Sequence, residues 1–372
     1  MTNEARAKGT MQLNTPPAPR NVWYVGAWCR EVTSKPIARR ILDTPVVFFR
    51  GEDGRAAALQ DRCCHRAAPL SLGRVKGNLL QCGYHGLCFD AGGQCVRVPG
   101  QDLVPPAACV PSYPVLEQDG AVWIWMGDPA AATSSQVPRF PRHSSPDWHW
   151  RGEHFGYSAN YGLLYDNLLD LTHVGYIHPN TIGGNEEEHS NAKMEVQRGD
   201  GFAKGVRWMR DVDPPAAYQA LRPFTGRIDR CQVMRFQPGL VTISIIAHDA
   251  GRLADDEDAM DGYESHGFHA ITPESETRCH YFWAVGVPAR FMKPGLLEKK
   301  IELTRITFEE DREILEAQQR NLKEFPGLPV VSIRSDSLSM AARRIWAAVS
   351  AAEQANAQSL VQIASSPSAL AT

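Results

Sequence analysis

No part of this sequence is apolar for long enough to cross a membrane as a helix, and Met1 to Arg20 carry charge and proline where a secretory leader would have a continuous apolar run. Neither a membrane span nor a leader is expected, and a cytoplasmic location follows. An excess of one charge is also missing: 39 Lys and Arg against 42 Asp and Glu leave a net charge of −3, which gives no electrostatic ground for binding nucleic acid. No Gly-x-Gly-x-x-Gly turn follows a strand-like run, so the chain shows no nicotinamide or flavin signature of its own. Internal repeats are absent. What remains is 372 residues, 43% apolar and 22% charged, enough for two domains with full cores.

Cysteine is not scarce. Nine cysteines suit a reducing compartment better than a disulfide framework, and two pairs with histidine dominate the sequence. Cys63-Cys64-His65-Arg66 and Cys82-Gly83-Tyr84-His85-Gly86 give Cys-x-His, sixteen residues, then Cys-x-x-His. A structural zinc finger tends to keep its cysteines together and its histidines together. Two mixed loops suit a [2Fe–2S] centre with Cys63 and Cys82 on one iron and His65 and His85 on the other. Replacing two thiolates by neutral imidazoles raises the reduction potential, so the implied task is electron transfer. Zinc is the alternative. Pro69, Gly73, Gly83 and Gly86 supply turns, while the spacing makes Cys64 and Cys88 bystanders.

A second constellation is Asp166-Asn167-Leu168-Leu169-Asp170-Leu171-Thr172-His173-Val174-Gly175-Tyr176-Ile177-His178-Pro179. On a helix Asp166, Asp170 and His173 share a face, which sets the Asp170 carboxylate beside an imidazole. Two histidines five apart on an unbroken helix diverge by roughly 140°. Pro179 disfavours helical geometry at His178, and a break there would let both rings converge. Two imidazoles need a carboxylate to complete a facial triad on non-haem Fe(II). The candidate is Asp311, at the centre of an apolar helical stripe of Phe308, Ile314, Leu315, Gln318 and Leu322, with Glu309, Glu310, Glu313 and Glu316 pointing elsewhere. A salt-bridged core aspartate is the alternative, and Glu310 is the next candidate ligand.

Cys-x-His-Arg-x-x-x-Pro-Leu-Ser, Cys-x-Tyr-His-Gly-Leu-x-Phe-Asp and Asn-x-x-Asp-x-x-His-x4-His, followed far downstream by Glu-Asp, resemble the oxygenase α subunits of the Rieske non-haem iron oxygenases over almost the whole chain. Asn21-Val22-Trp23-Tyr24, Val122-Trp123-Ile124-Trp125-Met126-Gly127-Asp128 and His280-Tyr281-Phe282-Trp283 are most similar to the subgroup of vanillate O-demethylase, dicamba O-demethylase and toluenesulfonate methyl-monooxygenase. The resemblance implies an α+β fold, an all-β Rieske domain followed by a catalytic domain with an antiparallel sheet flanked by helices, of helix-grip type. It implies a homotrimer in which Asp170 links the cluster of one subunit to the iron of its neighbour. Asn167 is the other expected catalytic residue, and His269 and Trp283 are expected substrate contacts, with a core histidine the alternative for His269. Electrons come from a separate flavin and iron–sulfur reductase that uses NAD(P)H. With O2 as co-substrate the expected reaction hydroxylates or O-demethylates a small, acidic aromatic; ring cis-dihydroxylation is the alternative.

Residues 1–20 are expected to be disordered, 21–140 to form the Rieske domain, 141–352 the catalytic domain and 353–372 a flexible tail. Residues 183–191 and the acidic 254–264 are expected to be mobile surface loops.

Overall fold

Short apolar runs between turn residues dictate strands in the first third of the chain, and the computed structural model, which describes residues 10–11, 16–252 and 262–365 with side chains from 16 to 355, contains them. Trp23–Trp28 and Ala121–Trp125 are buried along their whole length and pair antiparallel in a three-stranded sheet with Val115–Gln118. A four-stranded sheet runs Ser112–Tyr113, Ala56–Gln60, Thr44–Arg50, Ile37–Ile41, and a smaller one runs Arg74–Lys76, Leu79–Gln81, Cys88–Phe89, Cys95–Arg97. The small sheet lies beside the two Cys/His loops.

The second half is built on a seven-stranded antiparallel sheet in the order Trp148–Tyr157, Arg278–Pro288, Tyr263–Ser275, Leu240–Asp249, Ile228–Gln237, Phe202–Val212, Lys193–Gly199. Its central strands lack the in–out alternation of a half-solvated sheet because both faces are covered. From Tyr263 to Pro273 every residue is buried. His269 and Ile271 face a layer of three helices, Tyr161–Leu169, Leu296–Glu324 and Ser337–Ser365, while Phe268 and Ala270 face Trp28 and Trp123 of the N-terminal half. Thr272 Oγ1 donates to the Val25 carbonyl at 2.7 Å, fixing that contact. The residue-140 boundary falls among the short 3-10 turns of Pro129–Ser144, yet one apolar core joins the two halves.

Four expectations about the ends and loops are corrected. Thr10–Met11 pairs with Val330–Val331, and residues 16–20 are anchored. Tyr161, Ser350 and Tyr24 hydroxyls donate to the carbonyls of Pro16, Pro17 and Pro19 at 2.6, 3.0 and 2.7 Å. Proline carbonyls in an extended run have no neighbouring helical donor and accept these bonds readily; the rest of residues 1–15 lies outside the described residues. Residues 353–365 of the expected tail continue the helix Ser337–Ser365, because Ala and Gln are strong helix formers, and Glu353 accepts from the Arg20 and Asn21 amides at 2.8 and 3.0 Å; residues 366–372 lie outside the described residues. Residues Glu186–Asn191 form a helix capped by Asn185, with three glutamates in the first turn, where the helix dipole favours them, and with His189 buried. In the acidic segment, residues 253–261 lie outside the described residues, but Glu264 is a buried strand residue paired with Arg290 at 2.6 Å.

Trp346, 2% exposed, binds the C-terminal helix to the rest by ring contacts with Tyr24, Tyr161, Tyr165 and Phe236. Trp346→Ala should cost about 3–5 kcal/mol, seen as a lower denaturant midpoint at unchanged slope.

Candidate active site

The two Cys/His loops close in the same way. The Cys63 amide donates to the Ala68 carbonyl and the Cys82 amide to the Leu87 carbonyl, both at 2.8 Å. Four residues after each cysteine the chain turns through positive φ, at Ala67 (55°) and Gly86 (76°), and donates back to the carbonyl of Cys63 or Cys82. Glycine takes that conformation freely, while alanine occupies it only because the loop is held from both sides. The paired loops bury both thiols and leave His65 and His85 exposed with ring centroids 4.7 Å apart. Burial pushes the Cys63 thiol up to about 11, so a thiolate there is costly unless a cation lies against it. All nine cysteines are free. Two buried thiols and two exposed imidazoles fit the donor set that a two-iron cluster would take, cysteines for one iron and histidines for the other. Cys64 packs partly into the apolar cluster of this half, and Cys88 Sγ lies against the Gly86 carbonyl, so neither joins the donor set.

The second constellation breaks earlier than the expected loosening at His178. Tyr161–Leu169 stops at Asp170, which takes φ −125° and ψ 94°; a 3-10 turn, Leu171–His173, and a short helix, Val174–Ile177, follow, with His178 at φ −116°. The break comes earlier than Pro179 because Asp170 competes with the helix backbone: its Oδ1 accepts from the Thr172 amide at 3.0 Å and the Thr172 hydroxyl at 2.7 Å. Its carboxylate is therefore not on His173, and the main-chain carbonyl of Asp170 lies 2.6 Å from His173 Nδ1 instead. Asp166 turns away to Arg343. Gly183 lets the chain return over the turn; a Cβ there would lie 2.5 Å from the His178 carbonyl.

These breaks bring His173, His178 and Asp311 together, their donor atoms all within 4.8 Å of one another. Asp311, 4% exposed, has Oδ1 at 3.2 Å from His178 Nε2 and 3.5 Å from His173 Nε2, and accepts from Asn167 Nδ2 at 2.8 Å. Ile314, expected on the same stripe, is exposed. Glu310 is not a member of the triad and does not point away from it: its Oε2 lies 2.7 Å from His178 Nδ1. Each imidazole thus has an acceptor at Nδ1, which places the proton there and turns the Nε2 lone pair toward Asp311. Burial pulls His173 below its ordinary value; burial acts the same way on His178, but Asp311 and Glu310 outweigh it and hold that ring above. Two nitrogens and a carboxylate on one side of a cavity are the donor set of the facial triad, which leaves positions open for dioxygen.

The cavity beyond the three donors has a volume of about 140 Å³ and a mostly aliphatic wall of residues such as Leu168, Ile182, Ile243 and Leu303. An engineered apolar cavity of about 150 Å³ accepts benzene, so this space suits one ring. His269 lines it, with Nδ1 2.6 Å from the Tyr281 hydroxyl and burial bringing it down to about 3, so the ring is neutral. Trp283 does not reach the wall: Phe308 covers it, with ring centroids 5.1 Å apart. The sequence reading missed Glu310 as the partner of His178, although its place beside Asp311 on one helix was the available signal.

The chain matches two family models, the Rieske [2Fe-2S] domain over residues 22–114 and the vanillate O-demethylase oxygenase C-terminal domain over residues 157–352. It is 37% identical to the toluene-4-sulfonate monooxygenase system iron-sulfur subunit of Comamonas testosteroni, covering 86% of this chain and 93% of that one. It is 36% identical to a vanillate O-demethylase oxygenase subunit of Pseudomonas sp. (strain HR199 / DSM 7063), covering 90% and 96%. Dicamba monooxygenase bound to 3,6-dichlorosalicylic acid superposes with a TM-score of 0.84 at 32% identity, covering 91% and 98%; the same enzyme with non-heme iron and dicamba gives 0.75 at 31%, covering 91% and 98%. Agreement in fold and sequence over nearly the full length of these relatives makes the chain a member of the Rieske-type monooxygenases, with a catalytic half of the vanillate O-demethylase kind.

Proposed function

We propose that this chain is the oxygenase component of a two-component system that hydroxylates or O-demethylates a small acidic aromatic, and that Cys63, His65, Cys82 and His85 hold a [2Fe–2S] cluster while His173, His178 and Asp311 hold Fe(II). The observation that carries the reading is a His–His–Asp set opening onto a one-ring apolar cavity in a chain that also has a Cys/His loop pair. The relatives' names, toluene-4-sulfonate and vanillate among them, are those of ring acids. Iron in these sites supplies one-electron transfer at the cluster and dioxygen activation at the mononuclear centre. The chain's own residues do the rest: the aliphatic wall excludes water and holds the ring, and Asn167 and Glu310 fix the donors. No nicotinamide or flavin motif is present, so a separate reductase is required.

The same reading makes the chain a homotrimer, in which His65 and His85 of one subunit face the Asp170–His173 turn of another. Exposed Leu72 and Tyr84 beside the two imidazoles suit a protein partner there, and Asp170 Oδ2 has no bond among the described residues. Nine unpaired cysteines suit a cytoplasmic setting. The test is turnover of 4-methoxybenzoate and 4-methylbenzenesulfonate with O2 and a Rieske-system reductase: formaldehyde with a phenol, or a benzylic alcohol, supports the reading, and a cis-diol as sole product overturns it.

Asp311→Ala should leave the visible bands of the cluster intact and lose the mononuclear iron, measured by metal analysis, together with turnover. Glu310→Gln should keep that iron but bind it about 10–100-fold more weakly, because the His178 ring loses an anionic partner without losing its place.

Asp170→Asn keeps an oxygen for Thr172 and the carbonyl on His173, so fold and both irons should remain. In rapid mixing the cluster should be reduced at its normal rate and reoxidised at least about tenfold more slowly with substrate and dioxygen present, because the subunit-facing charge is gone. Unchanged reoxidation removes Asp170 from the electron path.

A further inference from the structure

Beyond the donor set, the long helix Leu296–Glu324 contributes a stripe to the cavity wall from Leu296 to Asp311, and in its first turns lies Lys300. It lies eleven positions before Asp311, about 16 Å along the axis at 1.5 Å per residue. Its Nζ donates to Ser265 Oγ at 2.7 Å, and both residues line the cavity. Among the described residues no carboxylate lies within 4.0 Å of that ammonium. A half-buried lysine with one hydroxyl partner has donors to spare and no counter-charge.

The wall behind is positive too. Arg207 and Arg230 are 2% and 1% exposed, and neither has an ion-pair partner among the described residues. Arg207 bonds the carbonyls of Leu171 and His189, and Gln232 Oε1 at 2.8 Å; Gln232 itself lines the cavity. Burial, then the neighbouring Arg230 charge, bring Arg207 down to about 10. Arg207 has the Asp170 carboxylate near enough to act on it but no ion pair, and buried cations held mainly by dipoles lend the enclosed space a positive potential.

Resting on the oxygenase reading above, we propose that Lys300, with Ser265 beside it, is the anchor for the oxyanion of an arene carboxylate or sulfonate, holding the acid end of the substrate away from His173, His178 and Asp311. Desolvation brings Lys300 down to about 8. The titratable groups around it are Lys299 on its own helix, Tyr218 on the helix Ala216–Leu221, and Tyr263, Glu264 and His266 on the neighbouring strand. Burial holds both tyrosines above their ordinary value and His266 below its own; Glu264, although burial opposes it, is held low by His266 and Arg290. Lys299 is exposed. Protonation of Lys300 is thus expected to be lost as pH rises through about 8.

The experiment is anaerobic calorimetric titration of the holoenzyme with 4-methoxybenzoate, 4-methylbenzenesulfonate and neutral 4-methoxybenzamide. Wild type should bind the two acids, with affinity falling as pH rises through about 8, the direction expected when a protonated lysine is required. Lys300→Met should raise Kd for both acids on the order of tenfold while moving the amide less than about threefold. Lys300→Arg should restore acid binding and abolish the fall with pH, because guanidinium stays protonated. Equal losses for acid and amide in Lys300→Met, or acid binding untouched, overturn the anchor. If wild type oxidises neutral rings but shows no Lys300-dependent preference for acids, the anchor fails and the oxygenase reading stands. If acids bind through Lys300 and no oxygen is incorporated, the anchor stands and the oxygenase reading fails.

Discussion

A carboxylate buried in an apolar helix stripe is the constraint on which the catalytic half depends. Asp311 has no lysine or arginine within ion-pairing distance among the described residues; its neighbours are two imidazoles and the Asn167 amide. An ionised carboxylate in that setting is far costlier than an ordinary buried polar group. A divalent cation held by the same three donors removes the difficulty, and most local irregularities serve to put them there. The helix Tyr161–Leu169 ends at Asp170, a 3-10 turn reorients His173, and Gly183 lets the chain fold back over His178. The Tyr157 hydroxyl bonds the Phe308 carbonyl at 2.6 Å and ties the long helix to the edge strand one turn before Asp311.

The two candidate metal sites have opposite exposures, and each follows from its scaffold. His65 and His85 stand on loop tips beyond a small sheet, where another protein can approach them, whereas His178 and Asp311 lie under a helix layer. Electron entry needs contact with a partner, and oxygen chemistry needs water kept out. Packing the Rieske half on the back of the seven-stranded sheet leaves the helix face of that sheet free to enclose the cavity.

Residue type and spacing made the candidate donors legible, because few side chains can bind iron and each candidate appears in a short motif or alone at the centre of an apolar stripe. The strands of the N-terminal half were legible for a similar reason, their apolar runs being punctuated by turns. The position of the helix break was not, since Pro179 is a conspicuous breaker while Asp170 acts only through a side-chain bond to Thr172. Composition misjudged the termini: a proline run and an Ala/Gln tail look poorly packed until distant tyrosines and the Arg20 and Asn21 amides are seen to hold them. Trp283 failed for want of depth, since strand alternation gives its face but not that Phe308 stands in front of it.

Charge also gives the cavity a direction. Asp311 and Glu310 make one end negative, while Lys300 lines the other and the buried Arg207 and Arg230 lie behind the wall. A divalent cation held by the three donors would offset the Asp311 and Glu310 carboxylates and leave the positive end, with Lys300 on the wall and Arg207 and Arg230 behind it, to set the direction. A ring acid entering that field minimises its energy with the oxyanion toward Lys300, which turns its opposite substituent toward the open side of the three donors. With orientation assigned to the Lys300 anchor, an aliphatic wall suffices to hold the ring because it has only to exclude water and fix the ring's depth.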